Sequence, residues 1–284
     1  MKAVYLSINQ TLKNARQQLV SQQDTAHLDA EVLLAYVLNQ SRTYLHTWPE
    51  KIITQQEFEQ YQQLIHRRVL GEPIAYITGR REFWSMELQV NESTLIPRPE
   101  TELLVELALE KIPLNCHWHI ADLGTGTGAI ALAVARERPS CHITAVDLSP
   151  HAIDVAEKNA QDFCIDNISF REGNWADPLH GELYDIILSN PPYIAEGDPY
   201  LNRGDLRYEP ETALCSGADG LDAIRQIIAD SRKILKSGGW ILIEHGFNQQ
   251  QAVQTLLKEF GYGEVRGYHD LADHPRIVAG KYNT

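Results

Sequence analysis

Residues 119 to 147 leave this chain few folds to choose from. His119-Ile120-Ala121-Asp122-Leu123 is a short apolar run of strand length, and Gly124-Thr125-Gly126-Thr127-Gly128 follows it as a glycine-rich turn. Ala129 to Arg138 then reads as a helix, and Cys141 to Val146 as a second strand closed by Asp147. A strand, helix and strand joined this closely predict two parallel strands with a right-handed crossover, and a parallel sheet needs helices on both faces. The alternation continues: a helix from Pro150 to Phe163, strands at Ile168–Glu172 and Tyr184–Leu188, a helix at Leu221–Leu235, the strand Trp240–Glu244 and a helix at Gln249–Phe260. Strands near 262–268 and 277–279 have too short a connection for a crossover, so the last pair is expected to be antiparallel. The class is α/β, Rossmann-like, with a mostly parallel sheet.

The glycine turn has a chemical reading as well. Strand, glycine loop, helix, strand and carboxylate are the grammar of nucleoside cofactor sites, in which the loop approaches the ligand and the carboxylate accepts from ribose hydroxyls. Asp147 stands at that carboxylate position. Gly124, Gly126 and Ala129 fit the dinucleotide spacing and keep a nicotinamide-dependent oxidoreductase open. Gly128 turns the loop into G-x-G-x-G, more typical of S-adenosylmethionine sites. The loop by itself does not separate the two.

A second corner does. Ser189-Asn190-Pro191-Pro192-Tyr193 follows the buried run Tyr184–Leu188, so Asn190 falls where a strand ends, the usual ligand edge of an open α/β sheet. Two successive prolines fix their own φ, restrict the residues before them and contribute no N–H. The Asn190 amide adds an acceptor oxygen and a donor NH2. Such a ledge suits a planar –NH2 group held by its two protons, which favours positive charge developing on that nitrogen. The plain reading is a proline-marked loop with Asn190 as turn former. Hydride transfer has no use for an NH2-binding ledge, so the two motifs together favour methyl transfer over oxidoreduction. Trp175, after the strand Ile168–Glu172, is expected either in the core or walling the base of a bound nucleoside.

Upstream, Tyr5, Ile8, Leu12, Ala15 and Leu19 recur at helical spacing, and Leu28–Leu38 forms a second helical run. Thr54 and Glu57 have the form of a capping box opening a third helix through Phe58, Tyr61, Leu64, Ile65 and Val69. Residues 1–82 are therefore expected to form a helical module suited to gripping a macromolecular substrate. Residues 83–96 are expected to make a β-hairpin linker and 97–284 the catalytic domain. The loop from Ala195 to Ser216 has the length of a lid or binding loop.

The formal charge of −13 comes from 38 acidic against 25 basic residues, which opposes tight duplex binding and points to a protein or small-molecule partner. The first residues lack a signal-peptide core, and no apolar run reaches the ~20 residues of a membrane span, so no membrane association is expected and the cytoplasm is the expected location. Cys116, Cys141, Cys164 and Cys215 show no CxxC pairing, so neither a zinc site nor a disulfide framework is expected.

With these residues in place, the chain resembles the peptide chain release factor glutamine methyltransferases over nearly its whole length. The resemblance rests on Asp29-Ala30-Glu31, Pro97-Arg98-Pro99-Glu100-Thr101-Glu102, Asp122 to Gly128, Asn190-Pro191-Pro192-Tyr193, Tyr208-Glu209-Pro210 with Ala213-Leu214, and Asp219-Gly220-Leu221. It implies a class I methyltransferase domain with a seven-stranded sheet, S-adenosyl-L-methionine as cofactor and S-adenosyl-L-homocysteine as product. The implied substrate is the glutamine of the Gly-Gly-Gln loop of class 1 release factors, methylated at its side-chain nitrogen by direct displacement without a metal. By the same resemblance Gly124, Thr125, Gly126, Thr127, Gly128, Asp147, Trp175 and Asn190 hold the cofactor. Asn190 and the Pro191 carbonyl take the glutamine NH2, with Pro192 beside them and Tyr193 over the amide plane. Asn174 stands where the family usually has Asp, and Asp273 where it often has Gly. His245 and His269 are expected to be structural, because the nitrogen sheds its proton once alkylated. The alternatives are an adenine exocyclic-amino methyltransferase, whose motif Asn-Pro-Pro-Tyr is shared, and a non-catalytic adaptor.

Overall fold

The computed structural model describes residues 6–19 and 25–283; Tyr5, placed above on the first helical stripe, lies outside them. The described residues form two compact units. The first comprises the described residues up to Gly79 together with Gly204–Tyr208, and the second comprises Arg80–Arg203 and the residues from Glu209 onward. The boundary falls at Gly79, a left-handed residue with φ of 71°, so the hairpin expected over 83–96 begins earlier and belongs to the second unit.

In the first unit, helices α1 (Ile8–Leu19), α2 (Ala26–Leu38), α3 (Arg42–Thr47), α4 (Gln55–Val69) and α5 (Ile74–Thr78) close around one apolar core. The Thr54 capping box forms as the spacing predicts, with Thr54 Oγ1 accepting from Glu57 N–H at 3.2 Å and Glu57 accepting from Thr54 N–H at 2.6 Å. Asp29 and Glu31, from the motif noted above, are both buried on α2. Asp29 takes Arg68 Nε at 2.7 Å, while Glu31 is shared by Arg16 and Arg42. Buried carboxylates need such partners, so this motif holds the bundle together. Arg68 also pairs with Asp205 at 3.1 Å, and the Tyr208 hydroxyl donates to the Leu70 carbonyl at 2.8 Å. These bonds assign Gly204–Tyr208, part of the long loop, to the helical unit.

The second unit opens with the hairpin β1 (Arg80–Phe83) and β2 (Met86–Gln89), turned by Trp84 and Ser85, both at positive φ. Neither residue usually takes positive φ, which is why the alternating run 83–90 concealed where the turn lies. Helix α6 (Glu102–Lys111) leads into β3 (His119–Leu123), α7 (Ala129–Glu137), β4 (His142–Asp147), α8 (Pro150–Asp162), β5 (Ile168–Glu172) and β6 (Tyr184–Ser189). Then come α9 (Asp222–Ile234), β7 (Leu235–Glu244), α10 (Gln250–Glu259), β8 (Tyr262–His269) and β9 (Pro275–Tyr282). The sheet has seven strands in the order β5-β4-β3-β6-β7-β9-β8, parallel except for β9, which is antiparallel to both neighbours. Gly238-Gly239 lies inside β7, which begins five residues before the expected strand start at Trp240, and the pairing with β6 shifts register there. Asp273, at φ 61°, adopts the left-handed conformation that Asp tolerates, and Asp270 N–H to the His274 carbonyl closes the β8–β9 turn.

Alternation along the strands splits the core. Ile120, Ile143, Ile186 and Leu188 face the cluster containing α6 and α7, while Ala121, Leu123, Ile187 and Ile241 face the one containing α9 and α10. Asn159, fully buried on α8, pins the hairpin to this layer. Its side chain accepts from Gln89 N–H at 2.7 Å and donates to the carbonyls of Gln89 and Thr127 at 3.1 and 2.9 Å. Asn159→Ala strands three backbone groups at once. It should cost about 2–4 kcal/mol and lower the melting temperature by roughly 5–15 °C; calorimetric unfolding of the two proteins measures it, and an unchanged melting temperature would refute the role.

Candidate functional site

The chain leaves β3 toward one edge of the sheet with β4 and β5, and returns with β6 on its other side. That reversal opens a crevice beyond the strand ends, between β3 and β6. Leu123 and Ser189 are register partners there, and Ser189 Oγ donates to the Leu123 carbonyl at 2.7 Å. The next residue on each strand is Gly124 and Asn190. The glycine loop and the proline corner are therefore neighbours on one sheet edge.

A cavity of about 390 Å³ lies over them, in the size range of small-cofactor sites. Gly124, Gly126, Asp147 and Asn190 line it, with Asn174 and Trp175 from the turn after β5 and Pro192 from the corner. Leu148, Ala152, Leu95 and Ala213 give it apolar walls. At Gly124 (φ 78°) a Cβ would sit 2.9 Å from the Trp175 ring, so only glycine lets the indole close down on the loop. Trp175 packs against the apolar core and also lines the cavity.

Asp147 accepts from Gly126 N–H at 2.8 Å through one carboxylate oxygen and from Ser149 N–H at 2.9 Å through the other. Each oxygen keeps a lone pair for a ligand hydroxyl. Burial holds its carboxyl above the usual carboxylate range, against the pull of those backbone N–H groups. The same loop is stiffened from below, where Thr125 Oγ1 donates to the fully buried Asp122 at 2.6 Å and the other Asp122 oxygen has no partner. Burial pushes Asp122 up to about 7.

Among the residues singled out in the sequence, Gly124, Gly126, Asp147, Trp175, Asn190 and Pro192 share the cavity. Thr125, Thr127 and Gly128 build the loop beneath it, and Pro191 is buried. Tyr193 does not line it; its ring packs on the core and burial raises its phenol. Asn190 Nδ2 donates to Thr101 Oγ1 at 3.2 Å, which leaves its carbonyl oxygen as the atom without that tie. The approach segment 95–98 is fixed to the end of the long loop by the Arg98–Glu209 ion pair at 2.5 Å and by Ile96 N–H to Glu209 at 3.3 Å. His245 is buried with its Nδ1 2.8 Å from the Gly246 carbonyl oxygen, and His269 pairs with Asp273. Leu148 and Ser149 were not picked out, and Thr101 and Asp122 stood only as members of longer motifs with no role of their own; of the four, only the carboxylate heading the glycine loop carried a local signal. Among the described residues no helix is long and apolar enough to cross a membrane, and no three His, Cys, Asp or Glu side chains gather into a metal-binding group.

Residues 10–79 match the PrmC N-terminal domain and residues 100–202 the methyltransferase small domain. A Vibrio cholerae protein named release factor glutamine methyltransferase is 48% identical over 281 residues, covering 98% of each chain. An Escherichia coli protein of the same name is 48% identical, covering 89% of this chain and 91% of its own. Among solved structures, a methyltransferase from Pyrococcus furiosus superposes with a TM-score of 0.53 at 14% identity, over 77% of this chain and 98% of that one, which shows a shared fold.

Asp122 and Glu244, another fully buried carboxyl, are both raised to about 7 by burial. Their neutral forms suit the folded state, so the stability they contribute is full below about pH 4 and is lost as pH rises toward 7. Asp122→Asn cannot ionise. The variant should lose less melting temperature than the parent between pH 5 and 8, and identical slopes in a thermal-shift series would contradict the assignment.

Proposed function

The chain belongs to the release factor glutamine methyltransferase family, and we propose that it moves a methyl group from S-adenosyl-L-methionine to the side-chain nitrogen of the Gly-Gly-Gln glutamine in class 1 release factors. The observation that carries this reading is the shared wall: Gly124, Gly126 and Asp147 line the same cavity as Asn190 and Pro192.

The residues present fit the cofactor. Gly124 and Gly126 carry no side chain into the cavity, Asp147 keeps lone pairs for a ribose, and Trp175 and Leu148 offer apolar surface for a base. When bound, S-adenosyl-L-methionine supplies an electrophilic methyl carbon on a positive sulfur. The Asn190 carbonyl oxygen and the Pro191 carbonyl accept from the two protons of the glutamine NH2. Pro191 and Pro192 have no N–H to compete for those acceptors and hold the corner stiff. Fixed acceptors favour the nitrogen as it gains positive charge. Removing water and holding the amide in line supply most of the remaining acceleration. Tyr193, expected over the amide plane, is assigned to supporting the corner from the core.

On this reading the helical segment, expected over residues 1–82, grips the release factor, and the enzyme works in the cytoplasm. The acidic balance, −13 overall, favours a protein substrate over bare nucleic acid.

Incubation with labelled S-adenosyl-L-methionine and either a class 1 release factor or nucleic acid tests the substrate. Label should enter the factor, and mass spectrometry should put it on the glutamine; label in nucleic acid alone would favour adenine methylation. Asn190→Ala should leave cofactor affinity nearly intact and slow transfer on the order of 10²-fold, whereas Asp147→Ala should weaken the cofactor first. Normal turnover by Asn190→Ala would remove that side chain from its assigned role.

A further inference from the structure

Part of the cavity wall lies outside the sheet. Ser93, Thr94 and Leu95, ahead of α6, and Pro210, Thr212 and Ala213, ahead of α9, all line it, and no strand pairing holds either stretch in place. Glu209 joins the two. One of its carboxylate oxygens accepts from Ile96 N–H at 3.3 Å and the other from Arg98 Nη2 at 2.5 Å, across 113 and 111 residues of chain. The Glu209 side chain is fully buried, and Arg98 is 29% exposed. Both stretches are stiff where they meet. Proline follows Ile96 and Arg98, and Glu209 precedes Pro210, whose φ is −60°. Each proline fixes its own φ and holds the residue before it extended. The carboxylate therefore couples two short struts, and the wall residues Leu95 and Pro210 are each the immediate neighbour of a bonded residue. A buried ion pair adds little net stability, because desolvation offsets much of the attraction. What it fixes is distance and direction, through two oxygens that meet donors on two residues of one strut.

We propose that Glu209 and Arg98 are positioning residues for the cofactor: their ion pair, with the bond from Ile96 N–H, sets the spacing of the 93–95 and 210–213 walls and so the affinity for S-adenosyl-L-methionine. Neither side chain lines the cavity, so the effect passes through Leu95 and Pro210. Removing the carboxylate releases both stretches at once. The cofactor must then order them as it binds, and the entropy lost in doing so weakens its hold. Once the cofactor is bound, the Asn190 corner is unchanged, because Ser189 and Thr101 fix it through other bonds. The pair therefore acts on binding and not on transfer. This rests on the reading of the cavity as the S-adenosyl-L-methionine site.

Calorimetric titration of the full-length protein with S-adenosyl-L-homocysteine, alongside methylation of a class 1 release factor, tests it. Glu209→Ala removes both bonds and should weaken the Kd on the order of 10-fold, the worth of a charge-assisted hydrogen bond. Its kcat at saturating cofactor should stay within about threefold of the parent. Glu209→Gln keeps an acceptor for Ile96 N–H and should fall between, with a Kd about threefold weaker. Adding Arg98→Ala to Glu209→Ala should weaken the Kd no further, because the two side chains act through one bond. A folded Glu209→Ala protein with parental affinity would overturn the pair's role. So would losses in Kd and kcat by the same factor, which mark a general structural defect. Should Glu209→Ala not fold, parental affinity in Glu209→Gln overturns the role in the same way. A parent protein that binds no S-adenosyl-L-homocysteine would instead overturn the reading of the cavity on which the pair's role stands.

Discussion

The parallel pairing of β3 with β6 is the constraint on which the rest depends. Leu123 and Ser189 lie in register, and Ser189 Oγ reaches across to the Leu123 carbonyl at 2.7 Å. A slip of one residue would turn every side chain of β6 to the opposite face and separate the glycine loop from the proline corner. The apolar alternation that fixes this register also builds the two cores, since Ile186 and Leu188 serve one and Ile187 the other. Packing and site geometry are thus specified by the same side chains.

What the site adds is a way to keep polar groups fixed without water. Asp147 is held by two backbone N–H groups, the glycine loop by Asp122 through Thr125, and Asn190 by Thr101. The Asp122–Thr125 bond is local and fully buried, whereas the Asn190–Thr101 bond joins segments far apart in the chain. Fixed dipoles of this kind need little reorganisation when charge moves, which is the property methyl transfer to a weakly nucleophilic amide requires. The raised acids Asp122 and Glu244 are the stability cost of such burial.

Much of this was legible in the sequence where the signal is local. The alternation of strand and helix from His119 onward, the capping box at Thr54 and the strand-end positions of Gly124, Asp147 and Asn190 all follow from spacing and turn chemistry. Contacts between distant segments were not legible. Nothing near Asp205 foretells its bond to Arg68, yet that bond draws Gly204–Tyr208 into the helical unit. Thr101 reads as a helix-start residue, and only the topology brings it to Asn190. The hairpin turn was hidden because Trp84 and Ser85 adopt positive φ in place of the Gly or Asn that such a turn favours. Tyr193 adjoins the prolines in sequence, and its partly buried ring packs against the core, a contact that the sequence does not show.

A crystal structure of this protein with S-adenosyl-L-homocysteine and a glycine-glycine-glutamine peptide addresses the shared wall most directly. The glutamine NH2 should lie within hydrogen-bond distance of the Asn190 and Pro191 oxygens, with its nitrogen facing the cofactor sulfur across a gap that one methyl group fills. A glutamine bound elsewhere, or a sulfur on the opposite side of the sheet from Asn190, would contradict it.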